Sequence, residues 1–426
     1  MNAARDTAEA IRSETLGAYR EHVNSGLAKL AALSGGNCEL RSEGTRIYDE
    51  SGNAYLDAGG YGVFLLGHRH PMVCEAVKAQ IDRHPIATRA LLSPDLAQAA
   101  SALAAVAPPG LEYVQFTNSG AEAAELGLKL SRLAGRSRVI STLGGYHGKT
   151  LGALSVTGKD RYQRPFDPLL PGVEFIRYGD AEALAAVADG PPAALILEPV
   201  QGEGGAIVPA DGYLREVERI CREHEIFLIV DEIQTGMGRL GTWWGCQREN
   251  VTPDVMLVGK GLGGGVVPIG GVVATPEAFA PLNSEPLLHS STFGGSPLAA
   301  AAARAAIQVT ADDDLPGRAA WLGHVIRREL SNALAAECPR LVREVRGRGL
   351  LIGVEFAAAH LAADFYLEML SRRVVICSSL NSDCVARLTP PAVLTEREVG
   401  YLIEATADSA AALGRRYRRR AEAKAA

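Results

Sequence analysis

The stretch FLIVDEIQTGMG, Phe227 to Gly238, decides the fold. Four consecutive apolar residues, Phe227 to Val230, have the length and β-branched content of a strand buried on both faces. The strand then runs into two adjacent carboxylates, Asp231 and Glu232. A carboxylate enclosed by protein is costly unless a partner offsets the lost hydration. Either the strand surfaces there, or Asp231 faces a cation inside the protein.

Outward from this stretch, the pattern alternates. YVQFT (113–117) is strand-like and a helix is expected from about 120 to 134. ALILEPV (194–200) is a strand, followed by the amphipathic GYLREVERICREHE (212–225). DVMLVGK (254–260) is another strand. Strands alternating with helices predict a mainly parallel sheet covered by helices on both faces. Toward the N-terminus, RIYDESGNAYLDAGG (46–60) predicts a hairpin turning at Ser51-Gly52-Asn53, and residues 1–35 form a helical arm. Past about 310 the pattern changes. A helix (316–337), two strands across a Gly-rich turn (341–357), a helix (361–372), a strand (373–377) and a last helix (395–418) predict a smaller α+β unit. The division expected is an arm with part of the small domain at 1–50, a large domain at 51–310 and a small domain at 311–426.

Composition bounds the function. Of 426 residues, 47% are hydrophobic and 22% charged, with a net charge of -6, so nothing points to nucleic acid. The one basic run, Arg415 to Arg420, is expected to be a solvated helix end. Seven cysteines lie scattered, with no CxxC pair, which fits a reducing compartment better than a zinc site or disulfide framework. The charged N-terminus is not a signal peptide, and no apolar run reaches membrane-spanning length. A cytoplasmic enzyme is expected.

Three predicted strands end in a polar residue: Glu198, Asp231 and Lys260. If the strands are parallel, all three gather at one sheet edge, where open α/β sheets bind ligands. Two familiar loops nearly fit and fail. GKGLGG (259–264) has dinucleotide-loop spacing, but Pro268 and Gly270-Gly271 break the helix it needs. GGYHGKT (144–150) lacks the first glycine of a Walker A loop, since Leu143 stands there. A third chemistry uses every piece. Pyridoxal phosphate needs a lysine for its aldehyde, an aspartate for its pyridinium nitrogen and a helix N-terminus for its phosphate. Lys260 and Asp231 supply the first two. NSGAEA (118–123) supplies the third: Ser119 and Glu122 have capping-box spacing, while Gly120 and Ala121 admit a phosphate close to backbone N–H groups.

With these residues in view, the sequence resembles a class III aminotransferase, a fold-type I pyridoxal-phosphate enzyme. The resemblance spans about 45 to 400. It rests on GHRHP (67–71), NSGAEA, YHGKT (146–150), EPVQGEGG (198–205), DEIQTGMGR (231–239), GKGLGGG, STFGGSPLA (291–299) and RLTPP (387–391). GGYGVFLLGHRHP, FDPLLPG, GGGVVPIGG and LHSSTFGG make it most similar to the putrescine/ornithine aminotransferase-like branch. The resemblance implies that Lys260 holds pyridoxal 5′-phosphate covalently and moves the proton, with Asp231 on the ring nitrogen. It places Ser119, Gly120 and Ala121 on the phosphate, Tyr146 and Ile233 on the ring faces, and Gln234 on the ring hydroxyl. His147 and Glu198 lie beside the cofactor, and Thr292 reaches the neighbouring subunit's phosphate, so the active sites are shared in a homodimer. Tyr61, Arg89, Glu203 and Arg387 belong to the substrate, with Glu203 and Arg387 as an ion pair that opens to admit a carboxylate.

The implied reaction moves an amino group, from an ω-amine of a diamine or amino acid, to a keto acid or aldehyde. Racemisation, decarboxylation or carbon–carbon bond formation on the same cofactor are the alternatives, and a non-catalytic binding protein is the rival from another class. Three positions depart from the family. Leu65 and Ser296 replace asparagines, and Arg89 stands where the putrescine-type pattern has glutamine, an extra cation that disfavours a dicationic substrate.

Overall fold

A computed structural model describes residues 2–425. Chain order gives three sheets. Strands β1 (Glu39–Glu43), β2 (Arg46–Asp49) and β3 (Ala54–Asp57) form an antiparallel meander. The expected hairpin is its second half, with Ser51–Asn53 in the turn. Asp49 fixes that turn by accepting the N–H groups of Ser51 and Asn53 at 3.0 and 2.8 Å.

The large sheet comprises β4 (Tyr113–Thr117), β5 (Arg138–Thr142), β6 (Val173–Ile176), β7 (Ala193–Leu197), β8 (Phe227–Asp231), β9 (Val255–Val258) and β10 (Gly270–Ala274). Their order across it is β4-β10-β9-β8-β7-β5-β6. Every pair from β6 to β9 is parallel, and β10 alone reverses, pairing antiparallel with both β9 and β4. β7 to β9 are buried at every position, as continuous apolar runs require when helices cover both faces. The helix Tyr213–Glu223 makes one such crossover. It buries Leu214, Val217, Ile220 and Cys221, spaced at three, three and one, on the face toward the sheet.

The third sheet contains β11 (Val342–Arg348) and β12 (Leu351–Phe356), turning at Gly349 with φ 52°. The single strand expected at 373–377 is two. β13 (Val374–Val375) joins β3 in parallel, while β14 (Cys377–Ser379) joins the third sheet. The chain changes sheets at Ile376, which is buried between them. Strands β1, β5, β6 and β10 were not expected, and neither was β15 (Ser382–Leu388), paired with β12 and β14. Its polar start, Ser382-Asp383-Cys384, hides the buried run that follows. The helix Pro297–Asp312, rich in alanine, was also unread, and the last helix runs further than expected, Glu396–Ala425.

The basic run in that helix is only partly solvated. Arg416 pairs with Asp364 at 3.1 Å and with Glu368, and Tyr417 donates to Asp364 at 2.8 Å. The side chain of Arg420 lies outside the described residues. The N-terminal arm is helical at Asn2–Ala18 and Ser25–Leu33, and Arg12 Nε ties it to Glu50 at 2.9 Å.

Candidate active site

The three polar strand ends do meet. β7, β8 and β9 are adjacent and parallel, with Leu197 opposite Val230 and Asp231 opposite Leu257. Glu198, Asp231 and Lys260 therefore emerge side by side at the C-terminal edge of the sheet. They line one cavity of about 240 Å³ with Gly120, Ala121, Tyr146, His147, Glu203, Ile233 and Gln234, plus Gly148 and Lys149.

The two adjacent carboxylates part company as strand alternation demands. Asp231 is buried against the cavity, its Oδ2 2.7 Å from His147 Nδ1, and its Oδ1 accepts the Ile233 N–H at 3.0 Å. A carboxylate oxygen only accepts, which puts the ring hydrogen of His147 on Nδ1. Glu232 points away. It accepts the Cys246 N–H at 2.7 Å and the Thr235 hydroxyl, and burial pushes its pKa up.

Glu198 accepts the N–H groups of Tyr146 and Gly202, each at 3.0 Å. These bonds do not offset its burial. Desolvation raises its pKa to about 7, with Asp231 adding to the rise and His147 opposing it. Lys260 is half-buried and sits at φ 44°, between two glycines. Desolvation lowers its pKa, helped by the Arg387 charge and opposed by Glu203, Asp231 and Glu198. A lysine so placed holds less tightly to its proton than one in water.

The helix Gly120–Leu133 begins at the cavity. Ser119 caps it by accepting the Glu122 N–H at 3.2 Å, and Glu122 reaches back to the Asn118 N–H at 2.8 Å. The capping box is thus one residue wider than expected, taking Asn118 rather than Ser119 as its second donor. Helix geometry leaves the N–H groups of the first turn without intrahelical acceptors. Gly120 is required by packing: a Cβ there would lie 2.8 Å from Ile233 Cδ1.

On the far side of the cavity, Glu203 Oε1 lies 2.7 Å from Arg387 Nη1, and Gln234 Oε1 shares that nitrogen at 3.4 Å. Both ends are buried, Arg387 completely. Arg387 Nε and Nη2, Gln234 Nε2 and His147 Nε2 are buried without a partner among the described residues. Tyr61 stands near this pair, 56% exposed, in a turn at φ 50°. Burial raises its phenol pKa, with Cys377 and Glu203 adding and Arg387 opposing.

Two expected residues lie elsewhere in the single chain. Arg89 and Thr292 are exposed and line a second hollow of about 180 Å³ with Leu91, Leu92 and Leu96. Arg89, at φ 62°, donates to the Ser291 carbonyl. Of the substituted positions, Leu65 is buried in the core and Ser296 caps the helix Pro297–Asp312.

Several residues of the site were missed. Lys149 stands 4.4 Å over the Tyr162 ring and lines the cavity. Its place in YHGKT was the available signal. Arg239, in DEIQTGMGR, is buried and donates to Pro390 O at 2.6 Å, Leu350 O at 3.3 Å and Gly62 O at 3.3 Å. Desolvation lowers its pKa to about 9. It binds the Tyr61 turn to the third sheet. Gly202 touches Gln234 so closely that a Cβ would fall 1.5 Å from Gln234 Oε1.

Comparison with known proteins shows the family. The class-III aminotransferase family model matches residues 36–409. An ornithine aminotransferase of Toxoplasma gondii is 34% identical with a TM-score of 0.84, over 89% of this chain and 91% of that one. That structure is described with pyridoxal phosphate partially occupying its active site. An ornithine aminotransferase of Plasmodium yoelii is 30% identical (TM-score 0.77; 89% and 94% covered). An (S)-enantioselective ω-transaminase of Thermomicrobium roseum is 29% identical (TM-score 0.86; 96% and 99% covered).

Proposed function

The chain belongs to the class-III aminotransferases and transfers amino groups with pyridoxal 5′-phosphate in a fold-type I frame, and we propose that its substrates alternate between an ω-amine and an α-carboxylate. The donor is an ω-amine of a diamine or amino acid, and the acceptor a keto acid or aldehyde. The observation that carries this reading is the buried Glu203–Arg387 pair at 2.7 Å. Closed, it offers no free cation to a substrate. Opened, it presents a guanidinium whose Nε and Nη2 have no partner among the described residues, ready for two parallel hydrogen bonds to a carboxylate.

The residues fit the cofactor. A lysine amine, a carboxylate and a helix N-terminus converge on one cavity, and the buried Nε2 atoms of His147 and Gln234 want partners there. When bound, the cofactor supplies an aldehyde for amines and a ring that draws electrons from the carbon bearing the amine. The other work belongs to the chain. Asp231, held by His147 and the Ile233 N–H, would keep a proton on the ring nitrogen. Lys260, with its pKa lowered by burial, would be the covalent anchor and, once freed, the base whose Nζ takes the proton from the donor carbon and passes it on to the cofactor rather than back to that carbon. Ser119, Gly120 and Ala121 would hold the phosphate, and Gln234 the ring hydroxyl. Tyr146 and Ile233, in the same cavity wall, would pack on the ring, with His147 and Glu198 beside it. Tyr61 and Arg89 border the substrate.

The homodimer belongs to the same reading. Leu91 and Leu92, at 82% and 100% exposure, line the hollow of Arg89 and Thr292, and Phe293, next to Thr292 in the chain, is 58% exposed; exposed apolar patches mark interfaces. Thr292 would there meet the partner's phosphate. We also place the chain in the cytoplasm, in keeping with seven free cysteines, and retain the division at 50 and 310. No helix of the described residues is long and apolar enough to cross a membrane.

A spectral titration of the holoenzyme tests the reading. Diamines, ω-amino acids and glutamate should each convert the cofactor to its amine form, and 2-oxoglutarate should reverse it. Conversion by glutamate alone would discard the ω-amine half. Borohydride reduction and peptide mapping should mark Lys260 and no other lysine.

A further inference from the structure

Glu203 is held from two sides by one hairpin. The β14–β15 hairpin carries Arg387 on its second strand, facing Cys377 across the pair. Its tip is Leu380–Asn381. Arg387 takes Oε1 of Glu203, and the Leu380 N–H donates to Oε2 at 2.9 Å. The Asn381 N–H donates to the Glu203 backbone carbonyl at 3.0 Å. Any movement of the Glu203 carboxylate away from Arg387 therefore also strips the Leu380 N–H of its acceptor.

The tip is itself pinned to the large sheet's loops. Tyr162 donates its hydroxyl to Leu380 O at 2.8 Å, and Lys159 Nζ donates to Asn381 O at 2.9 Å. Asn381 Nδ2 bridges the carbonyls of Gly144 and Gly145 at 2.9 and 3.0 Å, and Asn381 is buried. These anchors come from residues remote in sequence and converge on two consecutive peptide units. They fix the position of one N–H group, and that group's acceptor is the carboxylate that masks Arg387.

We infer that the Leu380–Asn381 tip is a latch that holds Glu203 in its closed position, and that Lys159 and Tyr162 are positioning residues setting how readily the site accepts carboxylate substrates. The inference rests on the Glu203–Arg387 reading above. A preorganised donor favours the state that uses it, because little ordering remains to be done on closing. A loosened tip donates less well, so the closed state loses part of its advantage and Arg387 becomes available more often. Neither Lys159 nor Tyr162 lines the cavity, and the link of Tyr162 to its wall, the ring under Lys149, is kept when only the hydroxyl is removed, so the change is one of substrate preference.

The double variant Lys159→Met with Tyr162→Phe tests this in the holoenzyme. It removes both anchors and keeps side-chain volume. Single-turnover rates should shift toward glutamate and away from a diamine such as putrescine. The ratio of the two specificities should rise about three- to tenfold, the weight of about one hydrogen bond. An unchanged ratio overturns the latch, as does a fall in both rates by the same factor. Hydrogen exchange on the unmodified holoenzyme provides a second readout. Saturating 2-oxoglutarate should speed exchange of the Leu380 amide, because Oε2 leaves it. Unchanged exchange while 2-oxoglutarate competes with putrescine overturns the latch as well. Arg387→Ala separates the two levels. If that variant loses both half-reactions equally, the gate reading has failed; if it discriminates and the double variant does not, only the latch has failed.

Discussion

Asp231, in the cavity wall, and Arg387, paired behind it with the cavity residues Glu203 and Gln234, are both enclosed charges, yet they are held differently. Asp231, at the edge of the large sheet, has a partner on each oxygen: the Ile233 N–H at 3.0 Å and His147 at 2.7 Å. Arg387, on the third sheet, uses Nη1 for both Glu203 and Gln234 and leaves Nε and Nη2 bare among the described residues. A saturated group is a fixed part. A group with buried donors to spare is one poised to take another partner, because leaving them unpaired costs free energy. On the reading proposed above, the large sheet would supply the constant chemistry and the third sheet the choice of substrate.

The sharpest way to break this contrast is at the fixed part. Asp231→Asn keeps the shape and removes the charge. Both half-reactions should slow by about 10³-fold, the upper range for loss of one preorganised electrostatic group, while the cofactor stays bound. Stopped-flow spectra of each half-reaction check it. Activity close to that of the unaltered enzyme would mean that the carboxylate is only structural.

Arg387→Ala probes the other side. The half-reaction with glutamate or 2-oxoglutarate should lose about 2–5 kcal/mol of transition-state stabilisation, the range for truncating a buried hydrogen-bonded charge. The ω-amine half-reaction should suffer much less. Equal losses would erase the distinction between the two regions.

The sequence was most legible where local pattern and chemistry coincide. β7 to β9 read as strands because their apolar runs are unbroken, and their polar ends stood out for that reason. The convergence of Glu198, Asp231 and Lys260 followed from parallel pairing alone. The motif NSGAEA announced a helix start, although the reach of Glu122 to Asn118 depends on the turn geometry. The third sheet was harder. β15 begins with polar residues and buries an arginine, so hydrophobic periodicity gives no sign of it. The split of 373–377 between two sheets is decided by tertiary pairing with β3, more than 300 positions away. Arg239 and the Leu380–Asn381 tip act through backbone carbonyls and amides, which carry no residue signature at all.

A finer test asks whether every acid at the sheet edge is fixed as Asp231 is. Glu198 is equally buried and also has a partner on each oxygen, yet burial raises its pKa from 4.5 to about 7. The unfolded chain releases this proton near 4.5 and the folded one near 7. Between those values the folded state binds more protons, so stability falls as pH rises and the loss is complete above 7. For the cofactor-free protein the loss is about 3 kcal/mol across that window. Glu198→Gln cannot titrate and should lack that part of the decline. Denaturant midpoints at pH 5 and pH 8 for both proteins give the comparison. Parallel declines would mean that Glu198 remains ionised throughout, as fixed as its neighbour.

The smallest expected effect lies at the exposed end of the fixed region. Ser119 accepts the Glu122 N–H at 3.2 Å and is open to solvent. As a helix cap alone, its replacement by alanine costs about 1 kcal/mol of stability. That much is expected of the cofactor-free protein whatever the helix start binds. If the hydroxyl also donates to the phosphate, a charge-assisted bond is lost in addition, and such bonds exceed neutral ones. Affinity for pyridoxal phosphate should then fall by about tenfold. Affinity for pyridoxal, which has no phosphate, should not change. Equilibrium titration of Ser119→Ala with both compounds distinguishes the two roles. An equal weakening for both would assign Ser119 to the helix only, and the phosphate would have to be held by the backbone of Gly120 and Ala121 without it.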